Sequence, residues 1–130
     1  MKRFLTLLAV LGALVLTGCG AGGGTVTSVD PAAFLTTSAQ SGVVTVDVRT
    51  PSEYAAGHVA GAVNVDVEAT TFDSQISALD KSATYAVYCH SGRRSALATD
   101  AMAKAGFTHV YNLTGGFPDL VNAGAKVATS

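Results

Sequence analysis

The sequence predicts an α/β domain, a small parallel sheet with helices on both faces. Three observations carry this expectation. Short β-branched or aromatic runs recur at Val43–Val48, Thr84–Tyr88 and Val110–Leu113, and the first is almost wholly apolar, as strands buried on both sides tend to be. Between the runs lie segments of helical composition that carry start and stop residues, among them Asp30-Pro31, Thr50-Pro51 and Gly106. The alternation of the two kinds of element then favours parallel strands joined by helical crossovers. At 130 residues and 48% apolar content, the chain has material for one domain whose core requires no disulfide or metal staple.

In chain order, Met1-Lys2-Arg3 is a short basic segment, and the thirteen residues from Phe4 to Leu16 carry no charge. That pattern is the apolar region of a signal peptide, too short to span a bilayer. Leu16-Thr17-Gly18-Cys19 resembles a bacterial lipobox, in which the cysteine is lipidated and becomes the new N-terminus. The expected organisation is therefore a signal peptide over 1–18, lipidated Cys19 with a glycine-rich tether over 19–25, and a folded domain over 26–130. The domain is expected outside the cytoplasm, held to a membrane of the cell envelope by its lipid. Removing Lys2 and Arg3 leaves six basic and nine acidic residues, a formal charge of −3, so no basic field for nucleic acid exists. With Cys19 modified, Cys89 is the remaining cysteine and no intrachain disulfide can form.

Thr25–Val29 alternates Val with Thr and Ser and reads as a strand, followed by a helix from Pro31 to about Ser38 with Asp30 as its cap. Thr50-Pro51-Ser52-Glu53 has capping-box spacing and opens a brief helix through Ala56. Ala62–Val65 reads as a small strand, Phe72–Leu79 as an amphipathic helix and Ala96–Ala105 as a longer one. Val110–Leu113 is expected to be the last strand, and Gly116–Ala123 a closing helical turn or two.

The candidate active site is Cys89-His90-Ser91-Gly92-Arg93-Arg94-Ser95, between the Thr84–Tyr88 strand and the following helix. A loop there can turn its amides onto an anion, the helix start adds roughly half a positive charge, and Arg93 and Arg94 add two more. These features favour a thiolate over a thiol and make Cys89 a nucleophile. A Cys89–His90 dyad is disfavoured, because neighbouring side chains in a tight loop point apart. Arg49 and Glu53 are expected to pair locally in a structural role. Asp47, at a strand end, either serves the site or binds backbone amides. His58 reads as a structurally satisfied histidine, and His109 has no partner motif; neither makes a metal-ligand spacing.

Cys89–Ser95 resembles the active-site loop of the rhodanese-like domain. Further pieces match in order: Val46-Asp47-Val48-Arg49 with Pro51, Glu53 and Tyr54; Gly57–Asn64; Gly106-Phe107; Val110–Leu113; and Gly115-Gly116. The resemblance spans roughly Val26 to Gly124, with Leu120 near the place where the family often carries Trp. It implies a monomeric sulfurtransferase without metal or organic cofactor. Cys89 would take a sulfane sulfur from a small anionic donor such as thiosulfate and pass it to a thiol or cyanide. The residues from His90 to Ser95 would bind the donor. Two other readings remain: a non-catalytic binding module on the same fold, and a cysteine-dependent phosphatase or arsenate reductase. The latter usually has Cys, five residues, then Arg, whereas the sixth position after Cys89 is Ser95.

Overall fold

The structure, a computed structural model, describes residues 24–130; Cys19, the leader and most of the expected tether lie outside the described residues. The chain runs β1 (Thr25–Val29), α1 (Pro31–Ser38), β2 (Val43–Asp47), α2 (Pro51–Ala56), β3 (His58–Val59), β4 (Val63–Asn64), α3 (Phe72–Ser77), β5 (Thr84–Tyr88), α4 (Arg93–Lys104), β6 (His109–Leu113), α5 (Phe117–Asn122) and β7 (Val127–Ala128). Five strands form one parallel sheet in the order β1-β6-β5-β2-β4.

Because successive residues of a strand face opposite sides, central β5 serves two cores. Tyr85, Val87 and then Cys89 meet Phe72 and Ile76 of α3 and Ala98 and Met102 of α4. Ala86 and Tyr88 meet Phe34 of α1 and Leu120 of α5 on the other face. Helices therefore cover both sides of the sheet, as expected. The local starts are also as read: Asp30 accepts the Ala33 amide at 2.8 Å, with Pro31 opening α1.

Several boundaries differ from the sequence reading. Thr25 pairs with His109 within the sheet, and the Gly24 amide donates to the Ala103 carbonyl at 3.1 Å, so the folded domain begins ahead of residue 26. A Cβ on Gly24 would collide with the Phe107 carbonyl, which fixes a glycine there by close packing rather than as tether. The strand at Val110–Leu113 is followed by β7, which pairs antiparallel with β3. Both strands of that pair have two residues, too short to show a period. Helix α4 begins at Arg93, three residues before the expected start, so the end of the candidate loop is already its first turn.

The C-terminal end of β2 is closed by a buried ionic network. Arg49, 3% exposed, turns back onto Asp47, which is fully buried. Its Nε donates to the two carboxylate oxygens at 3.0 and 3.1 Å, and its Nη2 donates to Oδ2 at 2.7 Å. The same Nη2 donates to the Gly57 carbonyl at 2.6 Å. Tyr88 donates its hydroxyl to Asp47 Oδ2 at 2.7 Å and accepts the Val59 amide at 2.9 Å. The expected Arg49–Glu53 pair is thus corrected: the short reach from position 49 to position 47 lets the guanidinium satisfy a fully buried carboxylate, which costs more to leave unpaired than the half-buried Glu53. Asp47 does bind a backbone amide, that of Arg49, at 2.9 Å, but its main partners are side chains.

Removing one member of such a pair strands the other in a dry interior. Asp47→Ala should lower the unfolding free energy by about 3–5 kcal/mol, measured by urea denaturation, and Tyr88→Phe should cost less, since one hydroxyl is lost while the ion pair persists.

Candidate active site

Strand β5 ends at Tyr88, and Cys89 follows with its side chain on the α4 face, fully buried. The chain must then reverse within three residues to begin α4. Gly92 does this in the left-handed region, φ +101°, where a Cβ would be strained. The turn brings the Gly92 amide to 3.0 Å from Cys89 Sγ. Ser95, also fully buried, has its Oγ 3.5 Å from the sulfur and donates to the Gly92 carbonyl at 3.2 Å. Burial pushes the Cys89 thiol up, yet the Ser95 hydroxyl and the Ser95, Gly92 and Ser91 amides together outweigh it and hold the thiol below its ordinary value. The thiolate is favoured by short hydrogen bonds from the loop and first helical turn.

The two arginines do not act alike. Arg94 forms a fork with Glu53, Nη1 to Oε1 at 2.7 Å and Nη2 to Oε2 at 2.9 Å, and approaches Glu68 at 3.3 Å. Its charge, expected to serve the loop directly, is compensated by α2, because a guanidinium matches a carboxylate in two parallel bonds. Arg93 is exposed on the first turn of α4. His90 is exposed while Cys89 is buried, and no hydrogen bond joins them among the described residues, in line with the disfavoured dyad. Ser91 is exposed at the loop crest. His58 has its Nδ1 2.8 Å from the Tyr54 carbonyl and its ring stacked 3.7 Å from that of Tyr54, a satisfied structural residue as expected. Among the described residues no group of three His, Cys, Asp or Glu could hold a metal.

Sequence reasoning did not assign a role to the start of α5. The Phe117 amide donates to the Cys89 carbonyl at 2.9 Å, and a Cβ on Gly116 would fall 1.6 Å from the His90 carbonyl oxygen. Gly116 therefore lets the start of α5 press directly on the backbone of the loop. Phe117 lays its ring 4.3 Å from the Arg49 guanidinium carbon. A cleft of about 330 Å³ opens beside the loop, lined by Arg49, Glu53, Ala56, Gly57, His90 and Phe117. Cys89 is not in its wall, but its neighbour His90 is.

With this geometry stand the relationships to known proteins. Residues 30–123 match the Rhodanese-like domain family, and the chain belongs to it. It is 37% identical over 75 residues to the thiosulfate sulfurtransferase PspE of Escherichia coli, covering 58% of this chain and 71% of that protein. It is 42% identical over 79 residues to the thiosulfate sulfurtransferase GlpE of Pseudomonas fluorescens, covering 60% and 70%. Among solved structures, the Alr3790 protein of Anabaena superposes with a TM-score of 0.69 at 28% identity, over 78% of this chain and 91% of that one. A rhodanese with anions from E. coli gives 0.56 at 32%, over 68% and 99%.

The Glu53–Arg94 fork sets a pH dependence. Arg94 bonding, against a smaller opposing effect of burial and with help from Thr50, holds the Glu53 carboxyl at about 2, down from 4.5. A carboxylate whose folded pKa is depressed contributes stability that is complete above its unfolded pKa and lost as pH falls through the folded one. Wild type should therefore exceed Glu53→Gln in thermal midpoint at neutral pH, and the difference should shrink between pH 4.5 and pH 2 in a melting series.

Proposed function

We propose that this protein is a sulfurtransferase that carries a sulfane sulfur on Cys89. The observation that carries the reading is the buried Cys89 sulfur, held toward thiolate by Ser95 and the loop amides inside a turn of the rhodanese-like type. The naming of related proteins as thiosulfate sulfurtransferases supports thiosulfate as donor. The Cys89 thiolate attacks the outer sulfur of the donor, the sulfur–sulfur bond breaks, and sulfite departs with the bonding electron pair. The resulting persulfide accepts the same amide hydrogen bonds, which stabilise an anion wherever it sits within the turn. A thiol or cyanide then removes the outer sulfur and Cys89 returns to thiolate. No metal or organic cofactor enters these steps.

Phosphoryl chemistry finds less support. At the sixth position after Cys89 stands Ser95, whose hydroxyl lies at the sulfur, and the nearby Arg94 is occupied by Glu53. A tetrahedral oxyanion would lack the two-bond guanidinium contact such enzymes rely on. A purely binding role is disfavoured by the hydrogen bonds invested in one reactive sulfur.

Intact mass spectrometry after incubation with thiosulfate should reveal one added sulfur atom on wild type, removed by reductant, and none on Cys89→Ala. Cys89-dependent hydrolysis of aryl phosphate without any added sulfur would refute the assignment.

The lipobox-like sequence supports attachment of the domain to a membrane of the cell envelope through lipid on Cys19. Cys19→Ser should abolish incorporation of labelled fatty acid and move the protein from the membrane fraction to the soluble one; unaltered labelling would overturn the anchor.

A further inference from the structure

The cleft beside the loop has charged residues in its wall and yet almost no uncompensated charge. Arg49 is neutralised by Asp47, with the Phe117 ring at 4.3 Å and the Tyr88 ring at 5.7 Å from its guanidinium carbon. Glu53 is neutralised by the Arg94 fork. The rest of the wall is Ala56, Gly57, the Phe117 ring and His90. Val127, 48% exposed, extends the apolar surface, since a Cβ on Gly57 would lie 3.5 Å from its Cγ1 and 3.9 Å from the Phe117 ring. At about 330 Å³ the cleft lies at the small end of the range of ligand sites, far more than cyanide requires.

From this we infer that the cleft is the subsite for the sulfur acceptor and that it selects uncharged thiols on an apolar or aromatic body over thiols that carry a carboxylate. The inference rests on the sulfur-transfer reading above and gives its second step a substrate class. An apolar thiol loses only water on entering between Phe117, Ala56 and Gly57. An acceptor carboxylate would be desolvated beside a guanidinium already matched by Asp47, beside the Glu53 carboxylate, and against the apolar Phe117 side chain. The buried Sγ does not obstruct transfer, because a sulfur bonded to it places the reactive atom roughly 2 Å beyond it. In the transfer itself the acceptor thiolate attacks that outer sulfur, the bond to Sγ breaks, and its electron pair returns to Cys89. The acceptor leaves as a hydropersulfide, with no oxidant or reductant consumed.

The test uses the full chain, loaded with thiosulfate and freed of excess donor. Discharge of the persulfide is followed by mass spectrometry with benzyl mercaptan, with 4-(mercaptomethyl)benzoate, and with cyanide, the rates being corrected for thiolate content. The two aryl thiols differ by one carboxylate. Benzyl mercaptan should react faster than its carboxylate analogue by roughly tenfold, the effect of one poorly compensated polar group. Ala56→Trp, at an exposed position that fills the cleft, should slow discharge to benzyl mercaptan by a larger factor than discharge to cyanide. Equal rates for the two aryl thiols, or a preference for the carboxylate, would overturn the inference, as would equal slowing of benzyl mercaptan and cyanide by Ala56→Trp. Failure to form any Cys89 persulfide is a different result, which sinks the sulfur-transfer reading and this inference with it.

Discussion

A carboxylate buried without partners would be untenable at the C-terminal end of β2, and Asp47 is fully buried. Its three partners, the Arg49 guanidinium and amide and the Tyr88 hydroxyl, come from the turn after β2 and from the neighbouring strand β5. Through them the requirement spreads. Arg49 also takes the Gly57 carbonyl and so fixes the end of α2, while Tyr88 takes the Val59 amide and so fixes β3. The guanidinium beneath Phe117 anchors the start of α5. One buried charge thus coordinates most of the segments that surround the Cys89 turn, and Tyr88 is the residue directly before Cys89.

The Cys89 turn is held from three sides by different kinds of interaction. From within, the sulfur organises the turn by accepting the Gly92 amide and meeting the Ser95 hydroxyl. From α5, backbone contact at Gly116 and the Phe117 amide fixes the peptide after Cys89. From α2, Glu53 grips Arg94 at the start of α4. Glu53 itself is oriented by its own helix cap: Thr50 Oγ1 accepts the Glu53 amide and donates to its carboxylate. A capping residue of a six-residue helix therefore reaches the reactive loop through one ion pair. This gives Arg94 a positioning role where the sequence had suggested a direct electrostatic one.

Local signals made most of this fold legible. The Asp30-Pro31 and Thr50-Pro51 starts, the β-branched runs and the strand-to-helix passage at Cys89 are encoded within a few residues, and each lies where the sequence placed it. Part of what was misread depended on partners far along the chain. Glu53 and Arg94 are 41 positions apart, so nothing local distinguished that pair from Arg49 with Glu53. The β3–β7 pair joins residues near 58 to residues near 128 through two-residue strands that carry no periodic signature. The start of α4 was hidden because Gly92, in the left-handed region, caps the helix through its backbone conformation and has no side chain to make a readable capping bond. Gly115-Gly116 was visible as a pattern, but its reasons, the Asp119 side chain beside Gly115 and the His90 carbonyl against Gly116, exist only after folding.

Helix α4 gives the domain a front and a back. Its N-terminal turn frames the Cys89 sulfur, and its C-terminal turn receives the chain where it enters the domain, the Gly24 amide bonding to Ala103. Twelve helical residues separate these ends by about 18 Å. The described chain therefore enters the domain at the pole of α4 opposite the Cys89 sulfur. A grip on the chain at that entry would lie a helix length from the sulfur, and the domain would not have to turn round to expose Cys89 to a second molecule.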